Sequence, residues 1–483
     1  MNWKAISRNI GYALLVSALF MFFSIVISMV DGNDSALAAL IISFVITFAC
    51  GLFPFIFVRR TFPISLKEGY VIITLSWLLS FVFGMLPYAL WGGPFTIENA
   101  WFESVSGFTT TGSTSLANIE ALPRSLLFWR SSTHFIGGLG VVVFLLLIIP
   151  GSSPVKLRLT NMELGTISKD AYSVRANRTV YIFAYVYLGL FVVSFLSYWA
   201  AGMSAFDAVC HAMSVSATGG FSTRNLSIAA FDSRLIEGLT MLFMFISSLH
   251  FGLVFMTFAT RSLKPLRNPI VKFYTAVLVL VAVFVGLSLK AENICSKLGD
   301  AMWTGLFQTI CVSSTSGFAI IDNASWPIYI NMVLLMMAVM CGCAGSTSGG
   351  VKADRVLLLI KAAGTHIRRS LHPNGVNEVR IGTHVVRDED LTPQLLYIGF
   401  YVLILAFSVL LCMLFGVDNQ NAFAASVTSL GNVGPAVGSL GTMGSFADVP
   451  EAAKFVFTMD MFFGRVEIYP VLSVLAMLFD RSK

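Results

Sequence analysis

Ten stretches of about twenty mostly apolar residues divide this chain, at roughly 10–30, 37–58, 70–91, 126–149, 179–201, 235–260, 270–289, 328–360, 394–416 and 453–479. Coiled into a helix rising about 1.5 Å per residue, each is long enough to cross the hydrocarbon core of a bilayer, about 30 Å thick. Of 483 residues, 56% are apolar and only 12% charged. That is too little charge to clothe a water-soluble surface of this size, so the chain reads as an all-α polytopic membrane protein. Residues 1–31 carry Lys4 and Arg8 ahead of an apolar run, in the manner of a secretion signal. The run is longer than a signal core, and a second one follows at once. A retained N-terminal transmembrane hairpin over 1–65 is therefore expected.

Charge placement orients the segments. Arg59, Arg60 and Lys67 fall between the second and third runs, and Lys156, Arg158, Lys169, Arg175 and Arg178 between the fourth and fifth. Arg261, Lys264, Arg267 and Lys272 follow the sixth, and Arg368, Arg369, Arg380 and Arg387 the eighth. Both termini belong to this set through Lys4, Arg8, Arg481 and Lys483. The opposite connections hold fewer: Arg124, Arg224, Arg234, Lys290, Lys297 and Lys454. Basic loops stay on the cytoplasmic side, so both termini are expected there. The net charge of +6 is thus spent beside an anionic leaflet, and nucleic-acid binding is not implied. The seven cysteines lie mostly inside apolar runs. They form no CxxC pair, which disfavours a disulfide framework or a zinc site.

After the third, fifth, seventh and ninth runs comes a short semi-apolar segment and then a cluster of small polar residues. The clusters contain Thr110-Thr111-Gly112, Thr218-Gly219-Gly220, Thr315-Ser316-Gly317 and Asn432-Val433-Gly434. Their last glycines lie 108, 97 and 117 residues apart, and twelve residues before each stands a small residue: Ala100, Ala208, Gly305 and Ala422. A recurring spacing means one structural unit used four times. The unit reads as helix, re-entrant half-helix, extended strand, helix, because non-helical backbone survives at that depth only where it lines water or protein. Backbone carbonyls can replace the hydration shell of a cation. Aligning them demands dihedrals that favour glycine, and the partly negative end of each half-helix faces the same point. Small residues also let helices pack closely, but four matching clusters favour the pore. The expected fold is four helix–re-entrant pore loop–helix repeats around one pseudo-fourfold pore. Their limits are 66–165, 166–265, 266–390 (with a broken second helix) and 391–483, behind the hairpin.

This constellation resembles the Trk/Ktr/HKT superfamily of potassium transporters over essentially the whole chain. Its length and extra hairpin are similar to the TrkH branch rather than the shorter KtrB branch. Further matching segments run from Arg130 to Gly140, from Gly342 to Lys352, and across Gly464-Arg465-Val466-Glu467. The resemblance implies a bacterial inner-membrane subunit that translocates K+, the ion being held at the twelve residues of the four triplets. It implies a homodimer with one pore per protomer, in the lipid bilayer, and a cytoplasmic nucleotide-binding TrkA-type ring that gates it. No organic cofactor is expected on this chain. Glycine in every repeat goes with potassium selectivity in that family, and serine in the first repeat with sodium transport in some plant members. Coupling of the flux to protons or sodium is not readable.

The eighth run is interrupted by Gly342, Cys343, Ala344, Gly345, Ser346, Thr347, Ser348, Gly349 and Gly350. So many glycines oppose a continuous helix. By resemblance this segment is an intramembrane gate, and the bland alternative is a packing kink. It is not a phosphate-binding loop, because Val351 separates Gly350 from Lys352 and Ala353 follows where Ser or Thr is needed. Arg465 lies within the last run, where charge is costly. By resemblance it is a barrier below the filter, and the competing reading pairs it with Asp460 or Glu467. Arg130, His134, His211 and His250 fit either packing or a proton relay. Glu103 and Asp207 either attract cations or favour half-helix N-termini. The loops 151–178 and 363–391 suit a regulatory ring or anionic lipid. Broken helices also suit an alternating-access transporter of another cation or solute. No HExxH, Ser/His/Asp set or carboxylate pair suggests an enzyme.

Overall fold

The computed structural model describes residues 1–58, 64–140, 176–374, 377–382, 384–436 and 438–479. Most of the loop 151–178, the end of the run 126–149, and Arg59, Arg60, Arg481 and Lys483 lie outside them. Helices α1 (Trp3–Val30) and α2 (Leu37–Phe57) form the N-terminal hairpin. They approach closely where Gly11 faces Gly51, since a Cβ on Gly11 would sit 2.7 Å from the Gly51 carbonyl oxygen. Their outer faces carry exposed Phe22, Val26, Val45, Phe53 and Ile56. Such an apolar exterior requires a hydrocarbon solvent.

Four similar units follow. The first comprises α3 (Leu66–Gly84), α4 (Leu86–Trp91), the half-helix α5 (Ile97–Phe108) and α6 (Arg124–Gly138). The second comprises α7 (Ala176–Ala200), the half-helix α8 (Ala205–Ser216), α9 (Arg234–Ser247) and α10 (Phe251–Thr260). In the third, α11 (Pro269–Ala291) and the half-helix α12 (Leu298–Ser313) precede α13 (Ile328–Val339) and α14 (Ala353–Leu371). The two-residue strands β1 (Met340–Cys341) and β2 (Val351–Lys352) pair in parallel between α13 and α14, with Met340 opposite Val351. A small antiparallel ladder joins Arg380–Ile381 to His384–Val385 beyond α14. The fourth unit comprises α15 (Asp388–Leu414), the half-helix α16 (Asn419–Leu430), α17 (Glu451–Val466) and α18 (Ile468–Phe479).

The half-helices begin and end alike. Thr96, Ser204 and Asp418 accept the backbone N–H groups of Asn99, Asp207 and Gln420 and so cap α5, α8 and α16. The small residue in mid-half-helix has a packing cause. Ala100, Ala208 and Ala422 are wholly buried, and a Cβ on Gly305 would lie 2.6 Å from the Gly286 nitrogen of α11. Gly305→Val should therefore lower the thermal midpoint in detergent by several degrees, through an overpacking cost of about 1–3 kcal/mol. An unchanged midpoint would refute this cause.

The second helix of the first, second and fourth units departs from the sequence expectation of one span, and that of the third is broken as expected. Six helices are long and apolar enough to cross a membrane among the described residues, or seven if α9 and α10 count as one span. Those two meet at 105°, so the run 235–260 is bent. The run 126–149 leaves its helix at Gly138, and Gly140 has φ +75°. The run 328–360 breaks at 340–352, as expected from its glycines. The run 453–479 breaks at Glu467, whose φ is +65°. Residues 248–250 at the α9–α10 bend include no proline or glycine, and Gly252 follows only inside α10. The bend is made by its neighbour: Ser248 O accepts from the Cys343 N–H at 2.8 Å, and the Phe251 N–H donates to Gly345 O at 2.9 Å. Backbone from the third unit satisfies groups that the bend leaves open.

Candidate functional site: a ring of four loops above a plug

Each half-helix ends in the same hydrogen-bonded turn. The N–H groups of Thr111, Gly219, Ser316 and Val433 donate five residues back, to Ser106, Ser214, Cys311 and Thr428, at 2.9, 2.9, 3.0 and 2.8 Å. The N–H groups of Thr110, Thr218, Thr315 and Asn432 donate three residues back, at 3.0–3.2 Å. These are Schellman turns, which need one left-handed residue. That residue is Thr110, Thr218, Thr315 or Asn432, with φ of 55°, 55°, 59° and 54°. Three β-branched residues thus hold a conformation that usually belongs to glycine, costing on the order of 1–3 kcal/mol each. The glycines come two residues later, where Gly112, Gly220, Gly317 and Gly434 have φ of 85°, 82°, 67° and 91°.

These loops close into a ring. A Cβ on Gly112 would overlap the carbonyl oxygen of Gly219, and one on Gly220 that of Ser316. A Cβ on Gly317 would meet Val433 O, and one on Gly434 would meet Thr111 O, which returns to the first loop. All twelve sequence-predicted filter residues lie in this ring. Loops 1 and 4 are also joined by Ser113 Oγ donating to Gly434 O at 3.0 Å and by Asn432 Nδ2 donating to Thr111 Oγ1 at 3.0 Å. On one side the ring opens to a vestibule that touches Gly112, Gly220, Gly317 and Pro435.

On the other side lies the segment 342–350. Thr347 Oγ1 donates to Ser216 O at 3.2 Å and to Ser247 O at 3.3 Å, at the ends of α8 and α9. The Gly349 N–H donates to Thr315 Oγ1 of the ring at 3.2 Å, and Gly349 is packed so tightly on Asn432 that a Cβ would fall 2.5 Å from Oδ1. The segment therefore sits directly against loops 2, 3 and 4. Its base is held by Asp354, which accepts from the Ala344 N–H at 2.9 Å, and by Lys352, which donates to Ser348 O.

Arg465 completes the plug. Its guanidinium donates to Thr347 O at 2.5 Å and to Gly137 O and Gly138 O at 2.6 and 2.9 Å. It ties the plug to the end of α6 and supplies donors for two helix-terminal carbonyls. The carboxylates weighed as its partners bond elsewhere: Asp460 accepts from Ser408, and Glu467 pairs with Arg355 at 2.8 Å. A small cavity below the plug touches Thr347, Gly350, Lys352, Arg465 and Glu467.

The residues left ambiguous by the sequence also find places. His211 Nδ1 meets Asp207 O at 2.7 Å and Nε2 meets Ser222 Oγ at 2.9 Å. His134 meets Ser214 Oγ at 3.1 Å and stacks on Phe221. His250 Nδ1 accepts from the Gly252 N–H and caps α10. Asp207 binds Thr223 and Arg224 on the strand leaving loop 2. Sequence reasoning missed the buried ion pair of Arg130 with Glu103. It also missed the Arg355–Glu467 pair at the α17–α18 break.

Comparison with known proteins agrees with this architecture. The family model for TrkH, described as cation transport protein, matches residues 37–482. The chain is 32% identical over 486 residues to the Trk system potassium uptake protein TrkH of Salmonella typhimurium, covering 100% of both chains. It is similarly 32% identical over 486 residues to the protein of that name from Escherichia coli K12, again over 100% of both. The crystal structure of the potassium transporter TrkH from Vibrio parahaemolyticus superposes with a TM-score of 0.89 at 30% identity, covering 100% of both chains. The chain belongs to the TrkH family of cation transport proteins.

Proposed function

We propose that this chain is the potassium-translocating pore subunit of a bacterial Trk-type uptake system. One observation carries the reading: four loops from four similar units close into a ring, each glycine lying against the carbonyl of the next loop. A dehydrated K+ exchanges its water for such backbone oxygens. The carbonyls of Thr111, Gly219, Ser316 and Val433, with neighbouring threonine hydroxyls, are the natural ligands. Thr110 Oγ1 is buried without a hydrogen-bond partner, as an oxygen reserved for a passing cation would be. The four half-helix C-termini add partial negative charge at the same level.

The segment 342–350 acts as the gate, and its hydrogen bonds to Ser216, Ser247 and Thr315 support a shut form. Opening requires Thr347 to release Ser216 and Ser247, Gly349 to release Thr315, and Arg465 to withdraw. Arg465 occupies with a fixed positive charge the route that a cation leaving the ring would take. The units are proposed to divide at 66–165, 166–265, 266–390 and 391–483, and two copies to form a dimer in the inner membrane with their termini in the cytoplasm. The loop 363–391 offers Arg368, Arg369, Arg380 and Arg387 to a TrkA-type nucleotide-binding ring. The chain itself carries out no chemical conversion.

The test is ion flux into liposomes. Gly112→Ser should lower the K+ over Na+ flux ratio about tenfold, equivalent to ~1.4 kcal/mol of differential binding. An unchanged ratio in folded protein would remove the ring from ion selection.

A further inference from the structure

The residue nine positions before each ring glycine is Glu103, His211, Gln308 or Ala425. In the first two units this residue meets the strand leaving its own loop. Glu103 Oε2 accepts from the Ser115 N–H at 3.2 Å and from Thr114 Oγ1 at 3.1 Å, and His211 Nε2 meets Ser222 Oγ at 2.9 Å. In the third unit the place matching Ser222 is Ala319, and Gln308 Oε1 is buried without a hydrogen-bond partner. Alanine in the fourth offers no polar group at all. At this position, therefore, only loops 1 and 2 are braced by a side chain against the strand that leaves them.

Loops 1 and 2 are joined by one ion pair. Arg130 Nε meets Glu103 Oε1 at 2.5 Å, with the two side chains 1% and 0% exposed. The same guanidinium donates through Nη1 to Ser222 O at 3.2 Å, on the strand leaving loop 2. It lies 3.7 Å from the centre of the Phe221 ring, directly after Gly220. Phe221 in turn stacks on His134, at 4.0 Å between centroids. One planar fork therefore holds the carboxylate behind loop 1 and a main-chain carbonyl of loop 2 at once, a geometry that lysine cannot reproduce. A buried pair of this kind adds little net stability, and its value lies in fixing one arrangement.

We propose that Arg130 and Glu103 are positioning residues for ion selection, holding the outgoing strands of loops 1 and 2 at the spacing that favours potassium over sodium. The proposal rests on the reading of the ring as the filter. Where selection rests on the size of the carbonyl ring, the ring prefers the larger cation only while it resists contracting around the smaller one, and this brace supplies resistance on two of its four sides. Neither residue coordinates the ion itself.

The experiment compares Glu103→Gln, Glu103→Asp, Arg130→Lys and Gly112→Ser in liposomes, reading the K+ over Na+ flux ratio and the thermal midpoint. Glu103→Gln and Arg130→Lys should lower the ratio about tenfold, and Glu103→Asp, which keeps the charge but shortens the reach, should fall between them and the parent. A merely structural role would change the amount of folded protein and its midpoint but leave the ratio alone. If Glu103→Gln fails to assemble, Glu103→Asp and Arg130→Lys decide. Unchanged ratios in those two, with a lowered ratio in Gly112→Ser, would overturn the brace and leave the filter standing. Unchanged ratios in all variants would overturn both.

Discussion

Replacing Arg465 by alanine should raise potassium uptake by reconstituted protein about tenfold and leave the K+ over Na+ flux ratio unchanged. This side chain makes three hydrogen bonds, to Thr347 O, Gly137 O and Gly138 O. Hydrogen bonds to charged groups contribute about 1.5–3 kcal/mol each. Losing even ~1.4 kcal/mol of preference for the shut form multiplies the open population tenfold while that population is small. The fixed positive charge in the cation's route disappears at the same time. The ring is untouched, so selection among ions persists. Gly138 O loses the guanidinium while Gly137 O keeps the Gly140 N–H at 2.9 Å, and the thermal midpoint should fall alongside the gain in rate. Arg465→Lys, with one compact ammonium for two groups of acceptors, should lie between. A slower, normally assembled alanine variant would mean that Arg465 serves α6 as a cap and not the pore as a barrier.

Gly220→Ala should reduce uptake by about a hundredfold, the order of loss that an ångström of misplacement causes at a positioned site. Gly220 has φ +82°, where an L side chain is strained. Its Cβ would also overlap Ser316 O, and no flexible side chain is present to yield, because the obstruction is backbone of the next loop. The insult therefore passes from loop 2 to loop 3 and distorts the ring on two sides. Gly189→Ala is the matched control: this glycine lies in α7 with nothing within 4 Å of its added carbon, and flux should stay at the parental level. Rubidium uptake by both variants checks the pair, and parental flux through Gly220→Ala would contradict the ring's role.

Much of this molecule is written locally and could be read before any coordinates. Apolar length marks the spanning helices, and the spacing of Gly112, Gly220, Gly317 and Gly434 marks the repeat. The glycine-rich break at 342–350 is visible because helix propensity alone forbids a continuous span there. The α9–α10 bend was not legible, because Ser248, Leu249 and His250 carry no breaking signal. The backbone of Cys343 and Gly345, nearly a hundred residues away in sequence, makes the bend. The glycine part of the turn chemistry was legible, since Gly112, Gly220, Gly317 and Gly434 all have positive φ. That Thr110, Thr218 and Thr315 would hold left-handed dihedrals as well, two residues earlier, was not legible. Tertiary closure of the ring overrides local preference at that point. The Arg130–Glu103 pair escaped because charges twenty-seven positions apart follow no helical period. Only overlaying the repeats brings out the position shared by Glu103, His211, Gln308 and Ala425.

The most direct test is to locate the ion. Crystals of the protein grown or soaked in rubidium chloride, with data collected at the rubidium absorption edge, reveal the ion by its anomalous scattering. The expected result is a peak inside the ring, within coordination distance of carbonyl oxygens from all four loops, that weakens in Gly112→Ser. Rubidium peaks confined to the surface, or to one loop with the centre of the ring empty in well-occupied crystals, would contradict a filter built from four loops.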